Sequence, residues 1–150
     1  MSSYKGKYKV KNPSKYRGDY LNCIFRSLWE RKFMKYCDEN KNVLRWSSEE
    51  VKIPYRSPLD GKIHNYFMDF WMEVRQKSGK IETFLVEVKP FRQTQPPVIE
   101  EGKKMTISKA KQIKAYAVNV EKWKAAKNFC IEKGWKFVIM TEKQLFGKTT

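Results

Sequence analysis

Apolar side chains recur at three- and four-residue steps through residues 20–40, where Leu21, Ile24, Phe25, Leu28, Trp29, Phe33 and Tyr36 fall on one stripe. That spacing matches the 3.6-residue period of an amphipathic helix, so the pattern predicts a first helix there. Beyond it the pattern changes: Leu44-Arg45-Trp46 and residues 49–55 (EEVKIPY) predict short strands, and residues 57–61 (SPLDG) carry the Pro and Asp-Gly chemistry of a turn. Residues 64–74 and 81–89 are rich in aromatic and β-branched side chains and predict two longer strands, joined by a turn at 75–80 that contains Gly79. Residues 90–104 hold three Pro and one Gly without periodicity, which predicts a loop long enough to have a role of its own. Helical spacing returns at Ile107, Ala110, Ile113 and Ala117, with Thr106 as a cap. It continues at Val120, Trp123, Ala126, Phe129 and Cys130, with Gly134 as the stop, so the segment is two helices or one continued. Residues 136–141 (KFVIMT) are a continuous apolar run that predicts a buried strand. The order helix, strands, helices, strand predicts an α/β fold, a central mixed β-sheet flanked by helices. Residues 1–18 show no period and predict a flexible arm, leaving 19–150 as a single domain.

Composition narrows the class. The chain has 150 residues, 41% of them hydrophobic and 15% aromatic, which suits one globular domain with a real core and excludes disorder as the main state. No apolar run approaches the roughly 20 residues that cross a bilayer, and the basic N-terminus is followed by no apolar segment, so a cytoplasmic protein is expected. Three cysteines without C-x-x-C spacing read as reduced core residues, and a single histidine excludes a His-rich metal site. The five tryptophans, Trp29, Trp46, Trp71, Trp123 and Trp135, read as core ahead of base-stacking platforms.

Charge adds a partner. The formal net charge is +16. Residues 1–18 hold six basic and no acidic side chains (Lys5, Lys7, Lys9, Lys11, Lys15, Arg17), and residues 103–150 hold twelve Lys against three Glu. Residues 19–102 are nearly balanced, with fourteen basic against thirteen acidic side chains. A neutral middle between basic ends suggests a polyanion gripped by the flanks and acted on by the middle, with nucleic acid as the leading partner. Lys103, Lys104 and Arg92, on or beside the Pro-rich loop, join the arm as candidate DNA contacts.

The middle holds carboxylates in odd places. In Thr83–Lys89 the side chains of Phe84, Val86 and Val88 point one way, and those of Leu85, Glu87 and Lys89 the other. Asp69 sits in YFMDFWM, where burying a lone carboxylate is costly unless it has a partner or a metal. If the two strands pair through the 75–80 turn, Asp69 and Glu87 come side by side. Two convergent carboxylates suit a hard divalent cation such as Mg²⁺. Lys89 is then placed to act on the attacking water and offset charge in a phosphoryl transition state. The rival account is a solvated Glu87–Lys89 pair with Asp69 bridged to an arginine.

Asp69, then Glu87-Val88-Lys89, preceded by an acidic helix residue in Ser27-Leu28-Trp29-Glu30-Arg31, resembles the PD-(D/E)xK nuclease superfamily, with Met68 where the name-giving Pro would stand. Residues 16–89 look like the transposon-end-cleaving-subunit type. With the basic N-terminus, IPYRSPLDGKIHNYFMDF and EVKP, the whole chain is similar to the head-completion nucleases of T-even-type bacteriophages. The resemblance implies a restriction-endonuclease-like core and a Mg²⁺-dependent deoxyribonuclease, endo- or exonucleolytic, with Mn²⁺ as the substitute. Asp69, Glu87 and the Val88 carbonyl would bind metal, Lys89 would act on water, and Glu30 would join from helix one. It further implies 5′-phosphate and 3′-hydroxyl ends, partners among phage head or portal and neck proteins, and a place in the host cytoplasm or the virion. Two alternatives remain: a non-catalytic basic head protein that binds DNA, and a junction-resolving endonuclease. Oligomeric state is not legible.

Overall fold

A computed structural model describes residues 3–147. The first two residues of the expected arm, and Lys148 of the basic C-terminal segment, lie outside the described residues.

The architecture is mixed α/β. The central sheet has four strands in the order β3 (Val43–Ser48), β6 (Phe70–Arg75), β7 (Ile81–Val88), β8 (Lys136–Met140). Strand β6 returns antiparallel as β7, with Phe70 opposite Val86 and Arg75 opposite Ile81. On the other side of β6 lies β3, also antiparallel. Strand β8 runs parallel to β7. A parallel neighbour cannot be reached by a tight turn. The crossover is α2 (Ile107–Lys133), one continuous helix whose N-cap Thr106 side chain accepts from Lys109 N and whose stop is Gly134 in the left-handed conformation (φ 74°).

Alternation along β6 and β7 divides the core in two. Phe70, Met72, Val86 and Val88 face α1 (Leu28–Glu39), packing with its Phe33, Met34 and Cys37. Trp71 and Leu85 face α2, packing with Ala126 and Cys130 and with Ile53 and Tyr66 of a separate hairpin, β4 (Lys52–Arg56) and β5 (Ile63–Phe67). All three cysteines are free and buried, and among the described residues no helix is long and apolar enough to cross a membrane.

Four sequence expectations change. The first helix does not start at residue 20: residues 20–22 are a 3₁₀ turn, and Ile24–Ser27 is a strand, β2. The apolar positions of 20–27 fit strand alternation as well as helical spacing, and Ser27 decides the boundary. Its backbone is extended, and its side chain accepts from Glu30 N, the N-terminal cap of a Ser-x-x-Glu start. Residues 64–74 are not one strand, because β5 ends at Phe67 on β4 and β6 begins at Phe70 in the main sheet. Strand β8 is only half-buried, since it is the edge of the sheet.

The fourth change concerns the arm. Residues 3–17 are held, not loose: β1 (Ser3–Lys7) pairs antiparallel with β2, Tyr8, Val10 and Tyr16 are buried, and Arg17 N donates to Trp46 O at 2.8 Å. The clamp is Asp38, fully buried near the end of α1, which accepts from Tyr8 Oη (2.9 Å), Lys11 N (2.7 Å) and Asn12 N (3.0 Å). These are long-range partners, so no periodicity within 1–18 could announce them.

Candidate active site

The acidic residues meet where β7 ends and the chain crosses from the β4–β5 hairpin into β6. Asp69 is the residue before β6. Continuing the Phe70–Val86 register by one position sets it opposite Glu87, and its Oδ2 accepts from Val88 N at 2.9 Å. The crossing point is pinned from the other side as well: Met68 N donates to Val51 O (2.9 Å) and Glu49 N donates to Asp69 O (3.2 Å).

Glu87 lies on the α2 face of the sheet, 4% exposed. One of its carboxylate oxygens accepts the indole N–H of Trp123 from α2. The other is 3.9 Å from Lys89 Nζ, which remains partly open to solvent. Glu30 enters from the first turn of α1. Its carboxylate accepts from Arg26 N at 3.1 Å, so the turn that starts the helix also aims the acid.

The four groups act on one another electrically. Burial, then the charges of Glu87 and Glu30, push the Asp69 carboxyl well above the usual carboxylate range, against the Val88 N–H and Lys89. Burial likewise raises Glu30, opposed by its hydrogen bond from Arg26 N, while Glu49 adds to the rise and the charges of Arg26 and Lys89 reduce it. Carboxylates crowded in this way give up protons reluctantly unless a cation joins them. Among the described residues no three His, Cys, Asp or Glu side chains close around a single point. The donor set on offer is therefore two carboxylates with backbone and solvent oxygens, a set that fits an octahedral hard cation retaining waters and a phosphate oxygen.

The structure thus brings together Glu30, Asp69, Glu87 and Lys89, with Val88 between the last two. The predicted DNA contacts divide. Lys5, Lys7, Lys9, Lys11, Arg17, Arg92, Lys103 and Lys104 are exposed. Lys11 pairs with Glu39 (3.2 Å), Lys103 pairs with Glu100 (2.6 Å), and the Arg17 guanidinium lies 4.9 Å from the Trp71 ring centroid. Lys15 is a correction. Its Nζ donates to the carbonyls of Cys37 (2.7 Å), Asp38 (3.0 Å) and Asn40 (2.9 Å), closing the C-terminal end of α1, and it is engaged there as a structural cation. His64 stands apart from the acids, bonded to Asp60 at 2.8 Å. Trp123, expected from its spacing only as a core residue, is also the partner of Glu87. Its α2 register was visible in the sequence, but its polar partner on β7 was not.

Fold and site together define a class. Residues 40–142 match the model of the TnsA-like endonuclease N-terminal domain, and the chain belongs to that family. The matched span contains Asp69, Glu87 and Lys89, while Glu30 precedes it. Over 146 residues the chain is 41% identical to the head completion nuclease of Enterobacteria phage T4, covering 95% of this chain and 94% of that protein. No solved structure matches it.

Proposed function

We propose that this protein is a divalent-metal-dependent DNA nuclease that acts in phage head completion, in the host cytoplasm or on the virion, using Mg²⁺ or, as substitute, Mn²⁺. One observation carries it: the register that sets Asp69 opposite Glu87, with Val88 N–H fixing the first and Lys89 3.9 Å from the second. Family membership supports the same conclusion.

Asp69, Glu87 and the Val88 carbonyl would hold the metal. Bound there, the ion would supply Lewis-acid polarisation of the scissile phosphate and activation of a water. The chain's own residues do the rest. Lys89 extends from the face that carries Glu87, where its ammonium orients the attacking water and offsets charge that builds on phosphate oxygens. Glu30 approaches from α1 as a third acid, able to position water on its side of the cluster. Trp123 and Val88 N–H hold the two carboxylates in place before substrate arrives, so little reorganisation is needed at the reaction step. Phosphates on either side meet the exposed lysines of the N-terminal segment and of the loop before α2.

The test is strand scission of supercoiled and linear plasmid in Mg²⁺, with EDTA and with Lys89→Ala and Glu87→Ala variants. Loss of cleavage in all three with DNA binding kept is the expected result. A Lys89→Ala protein with undiminished turnover would refute the site. Tight binding with no scission in any metal would make this a structural DNA-binding head protein, and preference for four-way junctions over linear duplex would make it a resolving enzyme.

A further inference from the structure

We propose that Arg26 is a substrate-contacting residue that grips the scissile phosphate, and that Glu49 is the residue that positions it. The inference rests on the site assigned above and adds two residues to it.

Arg26 is exposed on β2 between buried Phe25 and buried Ser27, immediately before the start of α1. Its backbone N–H holds the Glu30 carboxylate at 3.1 Å, and its guanidinium Nε donates to Glu49 Oε1 at 2.9 Å. The pair is open to water, with the arginine side chain 53% exposed and the glutamate 30%. Such exposed pairs contribute little to stability, so the fold alone does not account for this one.

The backbone of Glu49 sharpens the question. Its φ is +55°, and among the described residues it is the one non-glycine position with positive φ. Glycine is the default there because L side chains adopt that conformation at a cost, and strain of this kind collects at functional sites. The turn lets Glu49 do two things. Its N–H donates to the carbonyl of Asp69 at 3.2 Å, while its side chain reaches back to Arg26. Glu49 therefore ties β2 to Asp69, the residue just before β6.

One bond at Nε leaves the two terminal nitrogens of Arg26 without a hydrogen-bond partner among the described residues. A guanidinium fixed at Nε and open at its fork is arranged for two parallel bonds to phosphate oxygens. After Glu49, the charges of Glu30 and Asp69 also act on it, so it stands beside the acidic cluster and not merely on the same face of the molecule. The electrostatics call for such a group: Glu30, Glu49, Asp69 and Glu87 repel a phosphodiester, and Lys89 is the other cation whose charge acts on both Asp69 and Glu30.

The experiment measures single-turnover cleavage of linear duplex DNA in Mg²⁺, affinity for the same DNA in Ca²⁺, and thermal melting. The variants are Arg26→Ala, Arg26→Lys, Glu49→Gln and the Arg26→Ala/Glu49→Gln double, with Lys89→Ala alongside. Arg26→Ala should lower the cleavage rate about 100-fold at saturating DNA, on the scale of one lost transition-state donor, with affinity and melting nearly unchanged. Arg26→Lys should recover part of the rate. Glu49→Gln should lower it about tenfold and add nothing in the double variant, since it acts through the arginine. Full-rate cleavage by Arg26→Ala beside an inactive Lys89→Ala overturns this inference and leaves the site intact, whereas activity in Lys89→Ala overturns the site itself. An additive double variant overturns the positioning role of Glu49. If Arg26→Ala does not fold, a normally melting Arg26→Lys at full rate overturns the proposal.

Discussion

Replacing Asp38 with Ala should release the N-terminal segment and, with it, part of the support of the active site. Asp38 is fully buried and accepts three hydrogen bonds, from Tyr8 Oη, Lys11 N and Asn12 N, all 2.7–3.0 Å long. Its own carbonyl accepts from Asn12 Nδ2 and Lys15 Nζ. A hydrogen bond to a charged acceptor is worth about 1.5–3 kcal/mol, so three bonds set a ceiling of about 5–9 kcal/mol. The loss stays below that ceiling because the freed segment carries its two backbone donors and the tyrosine hydroxyl out to water. Buried donors left without their acceptor cost about 1–3 kcal/mol each, so with part of the segment relaxing into water the loss should be about 3–5 kcal/mol. At about 2–4 °C per kcal/mol for a chain of this size, the melting temperature should fall by on the order of 10 °C.

The readouts are a thermal melt and the rate of trypsin cleavage at Lys9 and Lys11. Wild-type protein should resist cleavage there, and the variant should be cut quickly while the rest of the chain stays folded. Cleavage of DNA should fall as well, since β1 pairs with β2, which supplies the Ser27 cap and the Arg26 N–H that aim Glu30. An Asp38→Ala protein that melts within about 1 °C of wild type, with the trypsin rate unchanged, would refute the argument and restore a loose arm.

Further outcomes are expected. In metal-free protein, Asp69 holds its proton to higher pH in the native state than in the unfolded chain, so its contribution to stability is greatest below about pH 4 and declines as pH rises through its raised titration. Asp69→Asn should remove that decline and also abolish the rise in melting temperature on adding Mg²⁺, checked by melts across pH with and without EDTA. Trp123→Phe keeps an aromatic ring at that position but strips the N–H from Glu87, which is 4% exposed; stability should fall by about 1–3 kcal/mol in urea titrations, with a slower cleavage rate. Lys9→Gln should shorten the salt dependence of DNA binding by about 0.9 in log–log slope. Lys15→Gln should leave that slope unchanged and lower the melting temperature, because its three carbonyl bonds lie within the protein.

What the sequence disclosed follows the range of the interactions involved. The β6–β7 hairpin was legible because a short turn ties its strands, and strict alternation then forces Asp69 and Glu87 together. Helix α2 was legible from its cap, its stripe and its glycine stop. The N-terminal segment was not, because what holds it lies far along the chain: Asp38 and its neighbouring carbonyls on α1, strand β2, and the Trp46 carbonyl. The start of α1 is obscured for a different reason: in residues 20–27 strand alternation and helical spacing fall on overlapping apolar positions. Ser27-x-x-Glu30 carried the correct boundary, and a capping pattern outweighs a stripe when the two disagree. Glu49 left no trace, since a left-handed glutamate is chosen by what its side chain and N–H must reach, and both partners lie outside its own segment.

The site is assembled from four pieces of chain far apart in sequence, and each acid is held by a donor from a neighbouring piece or turn. Val88 N–H holds Asp69, Trp123 holds Glu87, and Arg26 N–H holds Glu30. Carboxylates left alone in this arrangement would separate, because burial and mutual repulsion both oppose their charge. The fixed donors prevent that, so the cost of holding the acids near one another is met during folding. This also accounts for the charge pattern along the chain: the acids of the nearly neutral middle include those gathered at the centre, and much of the basic excess lies in the terminal segments. On the proposed function, a DNA backbone drawn in by the flanks would meet the acids at the centre, and the reaction would require both. Neutralising the flanks should therefore raise the DNA concentration needed for half-maximal rate while leaving the saturated rate intact, whereas removing the Trp123 indole donor should lower the saturated rate and leave that concentration unchanged.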